Sequence, residues 1–229
     1  MSVVLGFDTA TPDTVVGVAV DGRDPIELRH RPAPGERPGH AATLLVLADR
    51  ALTRAGVGFA DVTLIGVGLG PGTFTGLRIG VATARGLTQG SGAALAGVST
   101  LRALAVAAAH DGPVLAVLDA RRGQAFVAAW QGEERLLAPA AVTPEELGAL
   151  ADPAHGTWLA VGDGALRFRD QLESAVVAVP ADGSPLHGVS AAAICRLAAG
   201  ASPTPRDTLL PEYVRLPDAE EARRRRPPS

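Results

Sequence analysis

Lysine is absent from this 229-residue chain, so all 21 basic residues are arginines. Aromatic residues make up only 3% of the sequence, and the formal net charge at pH 7 is -3. Proteins that bind nucleic acid by themselves usually carry a basic field and aromatic rings on which bases stack. The composition therefore argues against a chain whose overall charge attracts RNA, and we expect any link to RNA to run through partner proteins.

Cysteine occurs once, as Cys195, which excludes a disulfide framework. It lies in an apolar helical stretch without an accompanying motif of histidine and acid, so we predict a core residue rather than a catalytic thiol. No stretch resembles a signal peptide or an uninterrupted membrane span, and we expect a cytoplasmic protein. With 47% hydrophobic residues, a chain of this length can bury a sizeable core.

Recognisable catalytic motifs are also missing. The five histidines are His30, His40, His110, His155 and His187. None of them forms the paired helical spacing that commonly holds a metal ion. No Gly-x-Ser-x-Gly elbow is present for a serine nucleophile. The sequence therefore predicts no metal and no cofactor.

The most informative stretch runs from Gly70 to Gly80, after an apolar run over 62–69 that is typical of a buried strand. Its glycines allow a tight turn, and Thr73 and Thr75 are expected to cap the helix that follows. A glycine turn before a helix can hold an anion, but this one lacks the Lys-Ser/Thr ending of a P-loop.

Gly76, Gly80 and Ala84 are spaced four apart and predict one smooth stripe along that helix. Glycine inside a helix costs about 1 kcal/mol relative to alanine, so the stripe indicates close approach by another element. That element belongs either to this chain or to a partner subunit, and the spacing alone leaves both open.

Two β-hairpins are predicted about half the chain apart. One joins strands over 3–7 and 14–20, and the other joins strands over 114–118 and 124–130. Asp8 and Asp119 take the same place at the end of the first strand of each hairpin. This repetition predicts two related α/β halves that face each other. The polar, proline-rich stretch over 26–39 is expected to be a loop, followed by a helix from His40 that Gly56 terminates.

The segment from Gly70 to Gly80 closely resembles the signature of the bacterial TsaB (YeaZ) family. Three other segments fit the same family: Phe7 to Thr9, His40 to Leu45, and Tyr213 to Arg215 together with Asp218 to Glu220. Thr73 stands where the family more often has serine, which keeps a capping hydroxyl. The signature loop comprises Gly70, Pro71, Gly72, Thr73, Phe74, Thr75 and Arg78.

The resemblance implies the actin-like/sugar-kinase/Hsp70 ATPase fold, an α/β fold of two duplicated halves with mixed sheets and flanking helices. We expect an N-terminal half over 1–110, a C-terminal half over 111–202, and a tail over 203–229 that is partly packed on the body and disordered at its end. In that superfamily each hairpin turn supplies an aspartate with a nearby glycine, which lets the backbone approach phosphates. No glycine closely follows either aspartate, so the residues predicted to form degenerate phosphate turns are Asp8, Thr9 and Asp119.

The resemblance also implies a non-catalytic scaffold subunit. Such a subunit supports a TsaD-type catalytic subunit in a heterodimer, joined by a TsaE-type ATPase. The complex transfers a threonylcarbamoyl group to N6 of adenosine 37 in tRNAs that read codons starting with A. The resemblance further implies indirect contact with tRNA through the complex. Since no stretch could span a membrane, we expect no membrane association. A third hypothesis is self-association through the same apolar helix pair, giving a homodimer when the partner is absent.

Partner contact is placed by the resemblance on two helices, the one beginning at His40 and the one after the glycine turn. The predicted contact residues are His40, Leu44, Leu45, Leu47, Ala48, Gly76, Leu77, Gly80 and Ala84. The alternative is an independent enzyme of the same fold, either an ATP-dependent phosphotransferase or a glycoprotease-like metallopeptidase. Intact aspartate-with-glycine turns or a metal-binding histidine pair would favour that alternative, and the sequence has neither.

Overall fold

The computed structural model describes residues 2–33 and 35–215. The family-like segment Asp218 to Glu220 and the tail end that was predicted to be disordered lie outside the described residues. Over the described ranges, every helix is too short or too polar to span a bilayer.

Five strands form the first sheet. They are β1 (Val3–Asp8), β2 (Thr14–Val20), β3 (Ile26–His30), β4 (Leu64–Gly68) and β5 (Ala94–Val98), in the spatial order β3-β2-β1-β4-β5. The first three strands are antiparallel, and β4 and β5 run parallel to β1. The predicted loop over 26–39 is therefore wrong at its start, because 26–30 is an edge strand. The polar side chains of this strand mask its pattern in the sequence. Glu27 accepts a hydrogen bond from Ser190, and Arg29 donates one to Asp13.

Four strands form the second sheet with the same arrangement. They are β6 (Val114–Asp119), β7 (Ala125–Gln131), β8 (Glu134–Val142) and β9 (Leu159–Val161), in the order β8-β7-β6-β9. Again the first three are antiparallel and the fourth runs parallel to the first. The repeated hairpins thus open two sheets of like topology, which confirms the predicted fold class.

Seven α-helices flank the sheets in the described part of the chain. They are α1 (His40–Ala55), α2 (Phe74–Ser91), α3 (Thr100–Ala107), α4 (Pro144–Leu147), α5 (Asp163–Arg167), α6 (Arg169–Ser174) and α7 (Ala191–Gly200). Helices α1 and α2 cover one face of the first sheet, and α4 to α6 cover the outer face of the second. Gly56 ends α1 in the left-handed conformation, as predicted.

Two helices are exchanged between the sheets. Helix α3 follows the first sheet but packs on β6 and β7, whereas α7 follows the second sheet but packs on β1, β2 and β4. Glycines in the first sheet let α7 approach closely, since a Cβ on Gly17 would lie 2.9 Å from the carbonyl carbon of Ala191. Side chains from both sheets and both helices consequently form one continuous core cluster.

The described part of the C-terminal tail is held on the body. The Glu212 N–H donates to the Leu69 carbonyl at 2.7 Å, and Arg215 donates to Gln124 at 2.9 Å. Tyr213 does not bury its ring in the body, since the residue is 42% exposed. The anchoring comes from backbone and arginine hydrogen bonds instead.

Candidate functional site

The signature loop between β4 and α2 packs on the turn between β1 and β2. The Thr73 N–H donates to the Ala10 carbonyl at 2.8 Å, and a Cβ on Gly72 would collide with the same carbonyl. Thr73 occupies the helix N-cap position, but its hydroxyl makes no capping hydrogen bond, and Thr75 lies inside the helix. The predicted caps are therefore wrong, and the glycines of this loop allow a close fit between two turns.

Asp8 is fully buried beneath this loop. Its Oδ1 accepts the Ala10 N–H at 2.7 Å, and its Oδ2 accepts the Thr100 hydroxyl at 2.6 Å. Burial raises the pKa of the Asp8 carboxyl, and these hydrogen bonds oppose that effect. Asp8 Oδ1 thus closes the first hairpin turn, and Asp8 Oδ2 joins that turn to the start of α3.

Asp119 at the second hairpin turn also makes its hydrogen bonds within the chain. Its Oδ1 accepts the Arg121 N–H at 2.8 Å, and its Oδ2 accepts Arg167 Nη1 at 3.0 Å. The Asp119 N–H donates to Asp163 Oδ1 at 3.0 Å. Burial raises the pKa of Asp163, and the nearby Asp119 charge raises it further. The sequence gives no local signal for this contact between residues 44 positions apart.

A cleft of about 430 Å³ lies between the first hairpin turn and the segments around Asp163 and 182–188. Its lining includes Asp13, Arg29, Arg31, Asp163 and His187. Asp13 accepts hydrogen bonds from Arg29 at 2.9 Å and Arg31 at 3.0 Å. Burial opposes ionisation of Asp13, but the hydrogen bonds from the two arginines together lower its pKa. The arginines of the cleft therefore already have an anionic partner.

Eight of the nine predicted contact residues are buried inside the chain itself. They are His40, Leu44, Leu47, Ala48, Gly76, Leu77, Gly80 and Ala84. The prediction that these eight residues lie open to a partner is wrong. The regular apolar stripe of each helix is the face that packs on the sheet of the same chain. Only Leu45 of the set is exposed, at 49%.

The glycine stripe illustrates this correction. The Thr9 hydroxyl donates to the Gly76 carbonyl at 2.7 Å, and a Cβ on Gly80 would lie 2.6 Å from that hydroxyl oxygen. Of the two readings that the spacing left open, packing within the chain accounts for Gly76, Gly80 and Ala84.

His40 at the start of α1 has an internal role as well. Its Nδ1 lies 2.8 Å from the Thr14 hydroxyl, and the side chain is buried. Burial lowers its pKa, which favours the neutral imidazole. Across the residues that the structure describes, no group of three histidine, cysteine or acidic side chains could hold a metal ion.

A different part of the same two helices lies open. Leu45 and Val46 on α1 are 49% and 56% exposed. On α2, Ala82, Gly86 and Gly90 form a second stripe spaced four apart, and all three are exposed. A Cβ added to Gly86 or Gly90 would meet no atom within 4 Å. We call these five residues the helix-pair surface. Plotting α2 on a helical wheel would have separated this stripe from the buried one.

The comparisons with known proteins agree with one another. A family profile described as "TsaD: tRNA N6-adenosine threonylcarbamoyltransferase" matches residues 36–163. A Pseudomonas aeruginosa structure described as similar to peptidase YEAZ superposes with a TM-score of 0.79 at 29% identity, covering 94% of this chain and 100% of the other. YeaZ from Pseudomonas aeruginosa gives a TM-score of 0.76 at 28% identity, covering 93% of this chain and 100% of the other.

No curated protein sequence matches the chain. The family profile nevertheless spans more than half of it, and both Pseudomonas structures match nearly all of it. The chain therefore belongs to the TsaD family of tRNA N6-adenosine threonylcarbamoyltransferase proteins, within which it is of the YeaZ (TsaB) type.

Proposed function

We propose that this chain is a non-catalytic subunit of a tRNA threonylcarbamoyl transferase complex. It binds a TsaD-type catalytic subunit through the helix-pair surface, and a TsaE-type ATPase joins the assembly. The complex modifies N6 of adenosine 37 in tRNAs that read codons starting with A. The observation that carries the proposal is the helix-pair surface, whose composition the chain's own packing does not explain.

Gly86 and Gly90 lower the stability of α2 when no partner packs on the helix. Gly86 lies inside α2 and destabilises the helix by about 1 kcal/mol relative to alanine, while Gly90 lies in its last turn. A Cβ at either position would meet no atom within 4 Å. Close approach by another helix offsets that cost, because small residues let two backbones come together. Leu45 and Val46 supply apolar area on the neighbouring helix α1, where exposed side chains of this size are typical of an interface.

The cleft supports the non-catalytic part of the proposal. In a phosphate-binding turn, backbone N–H groups point at the anion. Here the N–H groups of Ala10, Asp119 and Arg121 already donate to the chain's own carboxylates. A phosphate binding at either hairpin turn would have to displace these carboxylates and overcome their charge, so we assign threonylcarbamoyl transfer to the partner.

Co-purification with the TsaD-type subunit of the same organism tests the interface. We expect Gly86→Leu to weaken the complex at least about tenfold, because the added side chain fills space that the partner helix occupies. Leu45→Asp should have a similar effect by placing a charge in an apolar contact. Gln171→Leu on α6 is the matched control, since it adds the same side chain to an exposed helix in the other half.

Retention of the full complex by both Gly86→Leu and Leu45→Asp would remove the interface from the proposal. Light scattering of the isolated chain tests whether the same surface forms a homodimer, which Gly86→Leu should convert to monomer. The activity arm compares the chain alone with the complex, and the chain alone should transfer nothing. Tight binding of ATP and magnesium to the chain in calorimetry would instead favour an independent phosphotransferase.

A further inference from the structure

A groove of about 820 Å³ runs between α2 and the segment over 206–213. We call it the α2–tail groove. The residues that line it include Arg78, Arg85, Arg206, Leu210 and Tyr213, and it borders the helix-pair surface, with which it shares Ala82 and Gly86. The two walls come from parts of the chain separated by more than 110 residues, so the groove exists only in the folded protein.

The groove is basic although the whole chain is not. Arg78, Arg85 and Arg206 line it, and the one carboxylate among the lining residues is that of Asp207. Asp207 is 91% exposed and lies 3.6 Å from Arg206 Nε. The lining therefore carries a formal charge of +2, from three guanidinium groups and one carboxylate, on a chain whose net charge is -3.

Two exposed aromatic rings lie together here, and one of them, Tyr213, lines the groove. Phe74 and Tyr213 are 39% and 42% exposed, and their ring centroids are 5.7 Å apart. The Arg78 guanidinium carbon lies 3.8 Å from the Phe74 centroid. This contact holds a cation beside the exposed rings, so that a charge and a flat apolar surface are presented together.

Arg85 has a positioning role. Its Nη2 donates to the Leu209 carbonyl at 2.5 Å and to the Asp207 carbonyl at 3.3 Å. These bonds fix the second wall of the groove against α2, while Leu209 is buried in the core of the first half. The groove is thus already formed in the unbound chain, and Arg78 and Arg206 are the cations that remain for a ligand.

We infer that the α2–tail groove binds an unpaired segment of the substrate RNA, with Arg78 and Arg206 on its phosphates and the Tyr213 ring against a base. Guanidinium groups match phosphate geometry, and exposed aromatic rings stack on bases whatever their identity. The inference rests on the proposed function, because the RNA it names is the tRNA that the family modifies. The net charge of the chain led us to expect contact with RNA only through partner proteins, and this inference proposes direct contact at one basic groove instead.

The test uses the full chain and a fluorescently labelled, unmodified tRNA transcript, with binding followed by anisotropy over a series of salt concentrations. The double variant Arg78→Glu/Arg206→Glu should bind at least about tenfold more weakly than wild type at low salt. Its slope of log affinity against log salt should fall by about 1.4, or about 0.7 for each lost phosphate contact on a single strand. The matched control is Arg50→Glu/Arg54→Glu, which makes the same charge change at exposed positions of α1 and should stay within about twofold of wild type.

Tyr213→Ala separates stacking from charge. It should weaken binding at least about fivefold and leave the salt slope unchanged, because a ring contact releases no counterions. Thermal unfolding of each variant should match wild type, since the three substituted groove side chains are all exposed.

Absence of measurable binding by wild type overturns the inference, as does equal weakening by the groove pair and the α1 control pair. Co-purification of Arg78→Glu/Arg206→Glu with the TsaD-type subunit distinguishes the two proposals. A complex that forms normally while RNA binding shows no dependence on the groove leaves the proposed function intact. Loss of that complex with RNA binding unchanged would mean that the groove holds an acidic segment of a partner protein, which also overturns the inference.

Discussion

Gly80 and Gly86 lie on the same helix and meet opposite surroundings. A Cβ on Gly80 would lie 2.6 Å from the Thr9 hydroxyl oxygen, whereas a Cβ on Gly86 would meet no atom within 4 Å. The Thr9 hydroxyl cannot turn away without losing its hydrogen bond to the Gly76 carbonyl. One glycine is therefore required by the fold and the other is not.

Urea denaturation of the Gly80→Ala and Gly86→Ala variants of the isolated chain distinguishes these two roles through the free energy of unfolding. We expect Gly80→Ala to lower the free energy of unfolding by about 1–3 kcal/mol through overpacking. Gly86→Ala should raise it by about 0.5–1 kcal/mol through better helix propensity. Equal stability of the two variants would contradict the packing described for α2.

Asp13 is the residue whose charge we expect to matter most for acid stability. Its pKa is lowered in the folded chain, so its stabilising effect is fully present above the ordinary aspartate pKa of 3.8 and is lost as the pH falls through the lower folded value. At pH 7, Asp13→Asn should lower the free energy of unfolding by about 1–3 kcal/mol, because the charge-assisted bonds to Arg29 and Arg31 are weakened.

Urea denaturation at a series of pH values measures this effect. The difference between wild type and Asp13→Asn should shrink as the pH falls below about 4, because wild type then becomes protonated as well. The exposed Asp49→Asn is the control and should change little at any pH. A difference that stays constant down to pH 2 would show that the Asp13 charge is not the cause.

Among the elements, α3 is tied to the signature loop by one side chain. The Thr100 hydroxyl donates to Asp8 Oδ2 at 2.6 Å and accepts the Gly70 N–H at 3.1 Å. A second, backbone bond runs from the Thr100 N–H to the Gly70 carbonyl at 2.8 Å. The first hairpin turn, the signature loop and the start of α3 consequently form one hydrogen-bonded unit.

Thr100→Val should lower the free energy of unfolding by about 2–3 kcal/mol, because a buried carboxyl group loses a hydrogen-bond donor while the shape of the side chain is kept. Thr100→Ser keeps the hydroxyl and should lose much less. Equilibrium denaturation of both variants measures the difference. Valine and serine variants of equal stability would show that the hydroxyl is dispensable.

For the whole molecule, the exchange of α3 and α7 makes the two halves dependent on each other. The first sheet is covered on one face by a helix from 191–200, beyond the boundary predicted near residue 110. A fragment of residues 1–110 would expose that face to water and lose part of the continuous core cluster.

We expect the 1–110 fragment to be insoluble or to lack a cooperative unfolding transition when expressed alone. Co-expression with residues 111–229 should restore a soluble complex, because α7 can then cover the first sheet. Circular dichroism and thermal scans check both outcomes. A cooperative transition in the isolated 1–110 fragment would show that this half is an independent folding unit.

The sequence predicted the repeated hairpins, the strand before the signature loop and the helix ending at Gly56, because these features depend on local periodicity and on glycine. It missed β3, an edge strand that pairs with β2 through its backbone and carries the polar side chains of Glu27 and Arg29. It also missed the bond between Asp163 and the Asp119 N–H, since residues 44 positions apart leave no local signal.

By itself the sequence determined the fold and the family, because the glycine segment, the paired hairpins and the apolar runs are short-range patterns. Only the tertiary structure decided which face of α1 and α2 remains open and that Arg78 and Arg206 line one groove. The physical reason is that periodicity reports an apolar face without reporting what covers it. Burial against the sheet occupies the most regular stripe, and only folding shows which side chains are left at the surface and which distant charges become neighbours.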